Sequence, residues 1–184
     1  GPNDAGGYTA SPFLNVSDDP DLNTIISSLG AEGVTNNICI IEFDFIPSGD
    51  SLRFKYVFGS EEYDEWVCSD YFDAFGFFLS GPGIAGPYSN GSINLAQVPG
   101  TSFPVGINTV NNGSVGGSVF NPICPNGGLN NSSYYLYNGL QSLQMDGFTT
   151  LLTAEAELQC GSTYHIKLVI ANGGDTSFDS WVFL

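Results

Sequence analysis

Residues 58–79 read FGSEEYDEWVCSDYFDAFGFFL and carry Glu61, Glu62, Asp64, Glu65, Asp70 and Asp73, six of the chain's nineteen acidic residues. No Lys, Arg or His interrupts them. Carboxylates gathered on so short a stretch repel one another unless water, salt or a bound cation screens them. Calcium takes six to eight oxygen ligands from carboxylates, carbonyls and water, so a flexible loop dense in Asp and Glu suits it. Zinc is disfavoured, because neither His nor Cys clusters here. Asp175 and Asp179, just ahead of the last apolar run, stand where a second loop can approach the first. The expected calcium ligands are therefore drawn from Glu61, Glu62, Asp64, Asp70, Asp73, Asp175 and Asp179. The plainer alternative is a solvated acidic turn, and the spacing matches no EF-hand.

Other chemistry is less well supported by the residues. A carboxylate pair such as Glu62 with Asp73 has the composition of a glycosidase site, but acidic pairs are abundant throughout this chain. His165 is the single histidine, and no G-x-S-x-G nucleophile elbow accompanies it. The expectation is a protein that is not an enzyme. Tyr63 and Trp66 sit within the acidic stretch, and aromatics beside a calcium ion can stack on sugar faces. A calcium-dependent carbohydrate-binding module is thus the alternative reading, set against the commoner use of aromatics as core residues.

Composition narrows the partners. The formal charge is −16, with Arg53, Lys55 and Lys167 as the only Lys or Arg. Such a surface repels nucleic-acid phosphates and anionic headgroups, which argues against nucleic-acid binding and membrane-surface binding. No apolar run approaches the roughly 20 residues that a membrane helix requires, and no signal peptide is evident. Cys39, Cys68, Cys124 and Cys160 are widely spaced, which fits an exported protein with up to two disulfides in any of three connectivities. Five N-x-Ser tripeptides, beginning at Asn15, Asn90, Asn112, Asn130 and Asn131, are as common by chance in such loops as they are informative.

The elements that must hold these residues read as strands. Twenty-four Gly and ten Pro punctuate short apolar runs, the pattern of an all-β chain. One helix is expected near the N-terminus, where Leu22, Ile25, Ile26 and Leu29 follow Asp18-Asp19-Pro20 and precede Gly30. Runs at 39–46 and 51–58 alternate with period two about Pro47-Ser48-Gly49-Asp50, which predicts a hairpin pairing Asp44 with Arg53 and Glu42 with Lys55. Further strands are expected at 74–83, 93–100, 102–110, 147–158, 162–173 and 177–184. Residues 111–147 form a long loop, and a disulfide through Cys124 would tether it. Eight or more strands predict a single domain over residues 1–184, a two-sheet β-sandwich of jelly-roll or lectin-like kind.

Several motifs together resemble one family. CIIEFDFIPSGDSLRFKYVFGSEEYDEWV, YFDAFGFFLSGPG, NLAQVPGTSFPVGINTVN, DGFTTLLTA, CGSTYHIKLVIANGGD and FDSWVFL occur in the order found in the choice-of-anchor L domain of secreted and cell-surface Bacteroidetes proteins. They span about residues 35–184. The resemblance implies a secreted, surface-associated adhesion or structural module, with other copies of itself, other surface proteins or glycans as partners, and with flanking strands beyond both ends. One departure concerns the acidic set. Where the family commonly carries AIADxGD, this chain has Ala171-Asn172-Gly173-Gly174-Asp175, an Asn in place of an acid. A strand ending in Trp181-Val182-Phe183-Leu184 further suggests completion of the sheet by edge-to-edge strand contacts.

Overall fold

The computed structural model describes residues 18–29, 35–139 and 143–184. Two antiparallel sheets face each other, with one helix on the outside. Helix α1 (Pro20–Ser28) is followed by strands β1 (Thr35–Phe45), β2 (Ser51–Ser60), β3 (Ala74–Ser80), β4 (Ile93–Asn94), β5 (Tyr135–Tyr137), β6 (Gly147–Thr149), β7 (Leu152–Glu157), β8 (Tyr164–Gly173) and β9 (Ser180–Phe183). The first sheet has the order β1-β8-β3-β4. In the second, β2 is the hub, pairing with β7 over Ser51–Tyr56, with β6 at Gly59 and Ser60, and with β9 over Val57–Ser60. Because β6 and β9 both pair with Gly59 and Ser60, they lie on opposite edges of β2. The expected all-β sandwich with one N-terminal helix is what the chain forms.

Period-two alternation sets the faces. Phe54, Tyr56 and Phe58 of β2 point inward and meet Phe75 and Phe77 of β3, with ring centroids 4.9–5.9 Å apart. Burying side chains of this size stabilises the sandwich by about 1.5–3 kcal/mol each, and the tilted and stacked ring pairs add to that. Strand β3 is buried along its whole length, since its outer face lies beneath other chain segments. Phe78, for example, packs on Tyr88 at 4.8 Å.

Helix α1 starts where the sequence indicates. The Asp19 carboxylate accepts hydrogen bonds from the Asp21 and Leu22 amides at 3.0 Å each, and Pro20 occupies the first turn, a combination worth about 1 kcal/mol at a helix start. Leu22, Ile25, Ile26 and Leu29 are buried, and the helix contacts β3 and β8. It therefore covers the first sheet from outside. Lys167 of β8 reaches up to it, 2.9 Å from Asp19 and 2.5 Å from Asp21.

The hairpin expected between 39–46 and 51–58 does not form. Both segments are strands with the expected faces, yet they belong to different sheets: Glu42 pairs opposite Lys167 and Asp44 opposite His165 on β8, while Arg53 faces Glu155 and Lys55 faces Thr153 on β7. The link at 46–50 is held by another loop. Pro47 O accepts from Gly161 N at 3.0 Å and Asp50 O from Leu158 N at 2.7 Å, so the turn residues carry the chain from one sheet to the other.

Two further strands are shorter than expected or absent. Of 93–100 only Ile93–Asn94 is a strand, and 102–110 contributes a single bridge from Pro104 to Gln97. The Asn94 side-chain oxygen accepts from the Phe77 and Ala96 amides at 3.0 and 2.9 Å, replacing ladder bonds with side-chain bonds. Val105, Ile107 and Val110 are buried in turns instead, where Thr109 Oγ1 donates to Pro104 O and Asn111 Nδ2 to Ile107 O. The expected strand at 147–158 is likewise divided into β6 and β7.

Lys167 offers a direct check on this arrangement. Burial alone would raise the Asp21 pKa and lower that of Lys167, but hydrogen bonds to Asp21 from Lys167 and Ser89, and the bonds and charges of Asp21 and Asp19 at Lys167, outweigh it, leaving Asp21 lowered and Lys167 raised. Lys167→Met leaves two buried carboxylates without their cation and is expected to destabilise the fold by about 3 kcal/mol at neutral pH. A lowered folded-state pKa contributes stability above the unfolded value and loses it as pH falls. Urea unfolding should therefore show the gap between variant and parent narrowing as Asp21 protonates.

Candidate functional site

The acidic stretch is a crossover. Residues 61–73 carry the chain from β2 in the second sheet to β3 in the first, and residues 174–179 carry it from β8 in the first sheet to β9 in the second. The two crossovers lie side by side and are stitched together: Glu61 N donates to Asp179 O at 3.1 Å, and Asp179 N donates to Glu61 Oε2 at 2.8 Å. Phe72 N donates to Gly173 O at 3.2 Å. Contact is so close that a Cβ on Gly173 would lie 2.1 Å from Phe72 O, and one on Gly174, at φ +85°, would lie 2.6 Å from Asp70 O. Only glycine fits both positions.

Within this junction Glu62 and Asp73 are both fully buried. Glu62 Oε2 accepts from Asp73 N at 2.8 Å, and Glu62 N donates to Ser60 Oγ at 3.0 Å. Asn172 Nδ2 donates to Phe178 O at 2.7 Å and to Asp73 Oδ1 at 3.3 Å. Burial pushes the Glu62 carboxyl well above the usual range, and the Asp73 charge adds to this. Burial does the same to Asp73; its hydrogen bonds work in the opposite direction, and Asp175 and Asp179 raise it further. Glu61 is raised by burial, partly offset by hydrogen bonds, and Asp179 by burial alone. A buried carboxylate with no cation beside it either keeps its proton or recruits a metal.

Of the expected ligands, the structure thus brings Glu61, Glu62, Asp73 and Asp179 to one junction. Asp175 acts on it through its charge, while its Oδ1 accepts from Ser177 N at 2.9 Å. Asp64 and Asp70 do not join them. Asp64 lies beside Tyr63 and Tyr135, whose hydroxyls are pushed up chiefly by burial and further by its charge, and Asp70 is exposed. Among the described residues no group of three or more His, Cys, Asp or Glu side chains converges at metal-holding distances. A cavity of about 140 Å³ opens over Asp73, Asp179, Asn172 and Ser180. A water molecule takes about 30 Å³ in the liquid, so the space has room for several waters.

Tyr63 and Trp66 part company. Tyr63 is a core residue, fully buried, with its hydroxyl donating to Val110 O at 2.6 Å, so it offers no face to a ligand. Trp66 is half-buried and meets Tyr71 edge-on at 5.8 Å. Tyr71 is 44% exposed, and its ring lies against Gly174.

The outer side of the acidic crossover is wrapped by the long loop. Cys68 forms a disulfide with Cys124, whereas Cys39 and Cys160 are exposed and unbridged. Around the bridge, Asn108 Oδ1 accepts from Cys68 N at 2.5 Å and Asn108 Nδ2 donates to Ser69 O at 3.2 Å. Gly116 N and Ile123 N donate to Val67 O and Cys68 O at 2.9 and 2.8 Å. Ser60, Asn108, Gly173 and Ser180 carry no sequence signal that marks them for this site. Asn172 does carry one, as the neutral residue where an acid is common.

Among the described residues no helix is long and apolar enough to cross a membrane. No curated protein and no solved structure matches the chain. The family model of the choice-of-anchor L domain matches residues 1–184, reaching beyond the motifs at 35–184 to the whole length. With a two-sheet sandwich, the ordered motifs and this match in agreement, the chain belongs to the choice-of-anchor L domain family, a family of surface-associated modules.

Proposed function

We propose that the protein is a non-catalytic extracellular adhesion or structural module, and that calcium bound at the paired crossovers fixes its fold. The burial of Glu62 beside Asp73, with no basic side chain bonded to either among the described residues, carries this reading. The paired cations are committed elsewhere, Lys167 to Asp19 and Asp21, and Arg53 to Glu155 at 3.5 Å. Calcium also accepts amide and backbone oxygens, so Asn172 and the carbonyls of the two crossovers extend the donor set beyond carboxylates. Inward-facing carboxylates bonded to backbone amides suit bracing better than turnover. Turnover abolished by substituting one of these carboxylates would overturn the non-catalytic part.

A second reading rests on Trp66 and Tyr71. A partly exposed aromatic pair beside Gly174 and Asp175 is a stacking platform of the kind that calcium-dependent carbohydrate modules use. Glycan-array binding lost on Trp66→Ala would favour it; assembly without glycan would favour the structural role.

Melting tests the metal. Binding to the folded state alone stabilises by about 2.7 kcal/mol at a hundredfold excess over Kd, which for a domain of this size raises Tm by roughly 5–10 °C. A metal-loaded sample that melts at the same temperature in chelator would refute the calcium claim. Raised carboxylates add a pH signature. In chelator the folded protein holds protons that the unfolded chain has released, so stability falls as pH rises from about 4 through the raised pKa values. The calcium increment should run the other way, absent at pH 4 and largest above neutrality, where the cation no longer competes with protons.

Glu62→Gln separates the charge from the shape. Its amide oxygen can still accept from Asp73 N, so in chelator at neutral pH the variant should melt several degrees above the parent, about 1–3 kcal/mol in stability. Its response to calcium should be lost.

A further inference from the structure

Strand register assembles a second polar site on the outer face of the first sheet, at the end away from the acidic crossovers. Across β1, β8 and β3, Glu42, Lys167 and Phe78 form one row, and Asp44, His165 and Ser80 form the next. Residues directly opposite on adjacent antiparallel strands share a face, so a carboxylate, an ammonium, an imidazole and a hydroxyl meet on one surface. Ser92 extends the second row, one step beyond the Leu79–Ile93 pair of β3 and β4. Two walls rise from this floor, the start of α1 with Asp19 and Asp21 and the turn at 89–92, and Ser89 N joins them by donating to Asp21 Oδ1 at 2.7 Å. Between them is a cavity of about 240 Å³ to which Glu42, Ser80, Ser92, His165, Lys167 and Asp21 contribute.

The cavity holds an unmet hydrogen bond. Ser92 is 3% exposed, and its Oγ has no partner among the described residues. Its backbone is satisfied separately, the amide donating to Ser89 O at 3.1 Å and the carbonyl accepting from Tyr88 N at 3.3 Å. The hydroxyl is therefore not spent on the turn. A buried hydroxyl without a partner is unfavourable and points to something the cavity receives. Neighbouring charges are already engaged: Lys167 lies 2.9 Å from Asp19 and 2.5 Å from Asp21, and His165 Nε2 lies 2.9 Å from Glu42 Oε1. Glu42 keeps its second oxygen as an acceptor.

We infer that this cavity binds one sugar ring, or a cyclic polyol of that size, through neighbouring hydroxyls. A hydroxyl both donates and accepts, which matches a surface where the Glu42 carboxylate stands with the hydroxyls of Ser80 and Ser92. An anion such as phosphate is repelled by Asp19, Asp21 and Glu42. Lys167, bonded to both aspartates, already fills the place that an ammonium or metal cation would take. Ile40, which lines the same cavity and is 41% exposed, offers apolar surface to the carbon face of a ring. Volume limits the ligand to a single ring, since pockets for drug-sized molecules run from roughly 300 to 1,000 Å³. The crossover enters β3 at Ala74 and the cavity lies at its Ser80 end, about 20 Å of strand away, so this site needs neither calcium nor the Trp66–Tyr71 pair.

Saturation-transfer difference NMR and titration calorimetry on the full chain in chelator test this, with glucose, galactose, mannose and N-acetylglucosamine as probes and inorganic phosphate and methylammonium as competitors. At least one of the four sugars should bind saturably, and neither competitor should displace it. Ser92→Ala and Glu42→Gln should each weaken binding of that sugar about tenfold, with circular dichroism showing both variants folded. Without sugar, Ser92→Ala should melt no lower than the parent, because the hydroxyl it removes has no partner within the protein. Four outcomes would overturn the inference: no saturable binding of any of the sugars, displacement by phosphate or methylammonium, a Ser92→Ala variant that melts well below the parent, or binding that survives both substitutions unchanged.

Discussion

Three basic side chains and one histidine serve nineteen carboxylates, and the paired ones are spent away from the acidic crossover. Lys167 neutralises the helix start at Asp19 and Asp21, His165 lies between Glu42 and Asp44, and Arg53 leans on Glu155. Burying Glu62 and Asp73 under that allocation demands either a proton or a cation from solution. The remaining features of the junction follow from holding those two groups still. Backbone amides are turned toward Glu61 and Glu62, glycines let the crossovers touch, and an amide in place of an acid at Asn172 avoids adding another charge.

How much of this could be read in advance depends on whether a residue's signal is local. Strand faces were legible because alternation is a property of one segment: the aromatics of β2 point inward and its Arg and Lys outward, as period two dictates. The helix was legible for the same reason, through Asp19, Pro20 and the four spaced aliphatics. Strand partners were not. Glu42 and Asp44 complement Arg53 and Lys55 as well as they complement Lys167 and His165, and cross-strand charge pairs contribute only about 0.2–1 kcal/mol each. What decided between them was the link at 46–50, whose bonds to Leu158 and Gly161 are long-range and leave no mark in its own turn-like sequence.

The site shows the same division. Glu61, Glu62, Asp73 and Asp179 were singled out by charge density and loop position, and the two crossovers bring them together. Asp64 and Asp70 have the same chemistry and close neighbours in sequence, yet the bends of 61–73 turn one toward Tyr135 and the other to solvent. Charge alone could not separate them. For Tyr63 the sequence leaves a stacking aromatic and a core residue both open, and the fold chooses the core: its ring packs at 5.0 Å from Tyr135 and its hydroxyl has a backbone partner. The Cys68–Cys124 bridge is a further case, since sequence left all three connectivities open and only the fold selects this one.

Strand β2 carries the effect of the junction into the second sheet. Its Ser60 end enters the acidic crossover, and β9 pairs with it there. Residue 179 precedes β9 directly, and it is bonded to Glu61 in both directions, so the position of β9 on β2 is set by the crossover junction. Loosening that junction frees the Ser180 end of β9 from the Ser60 end of β2. A cation or proton that settles Glu62 and Asp73 therefore does more than relieve local repulsion. It also holds the register in which Ser180–Phe183 lie against Ser60–Val57.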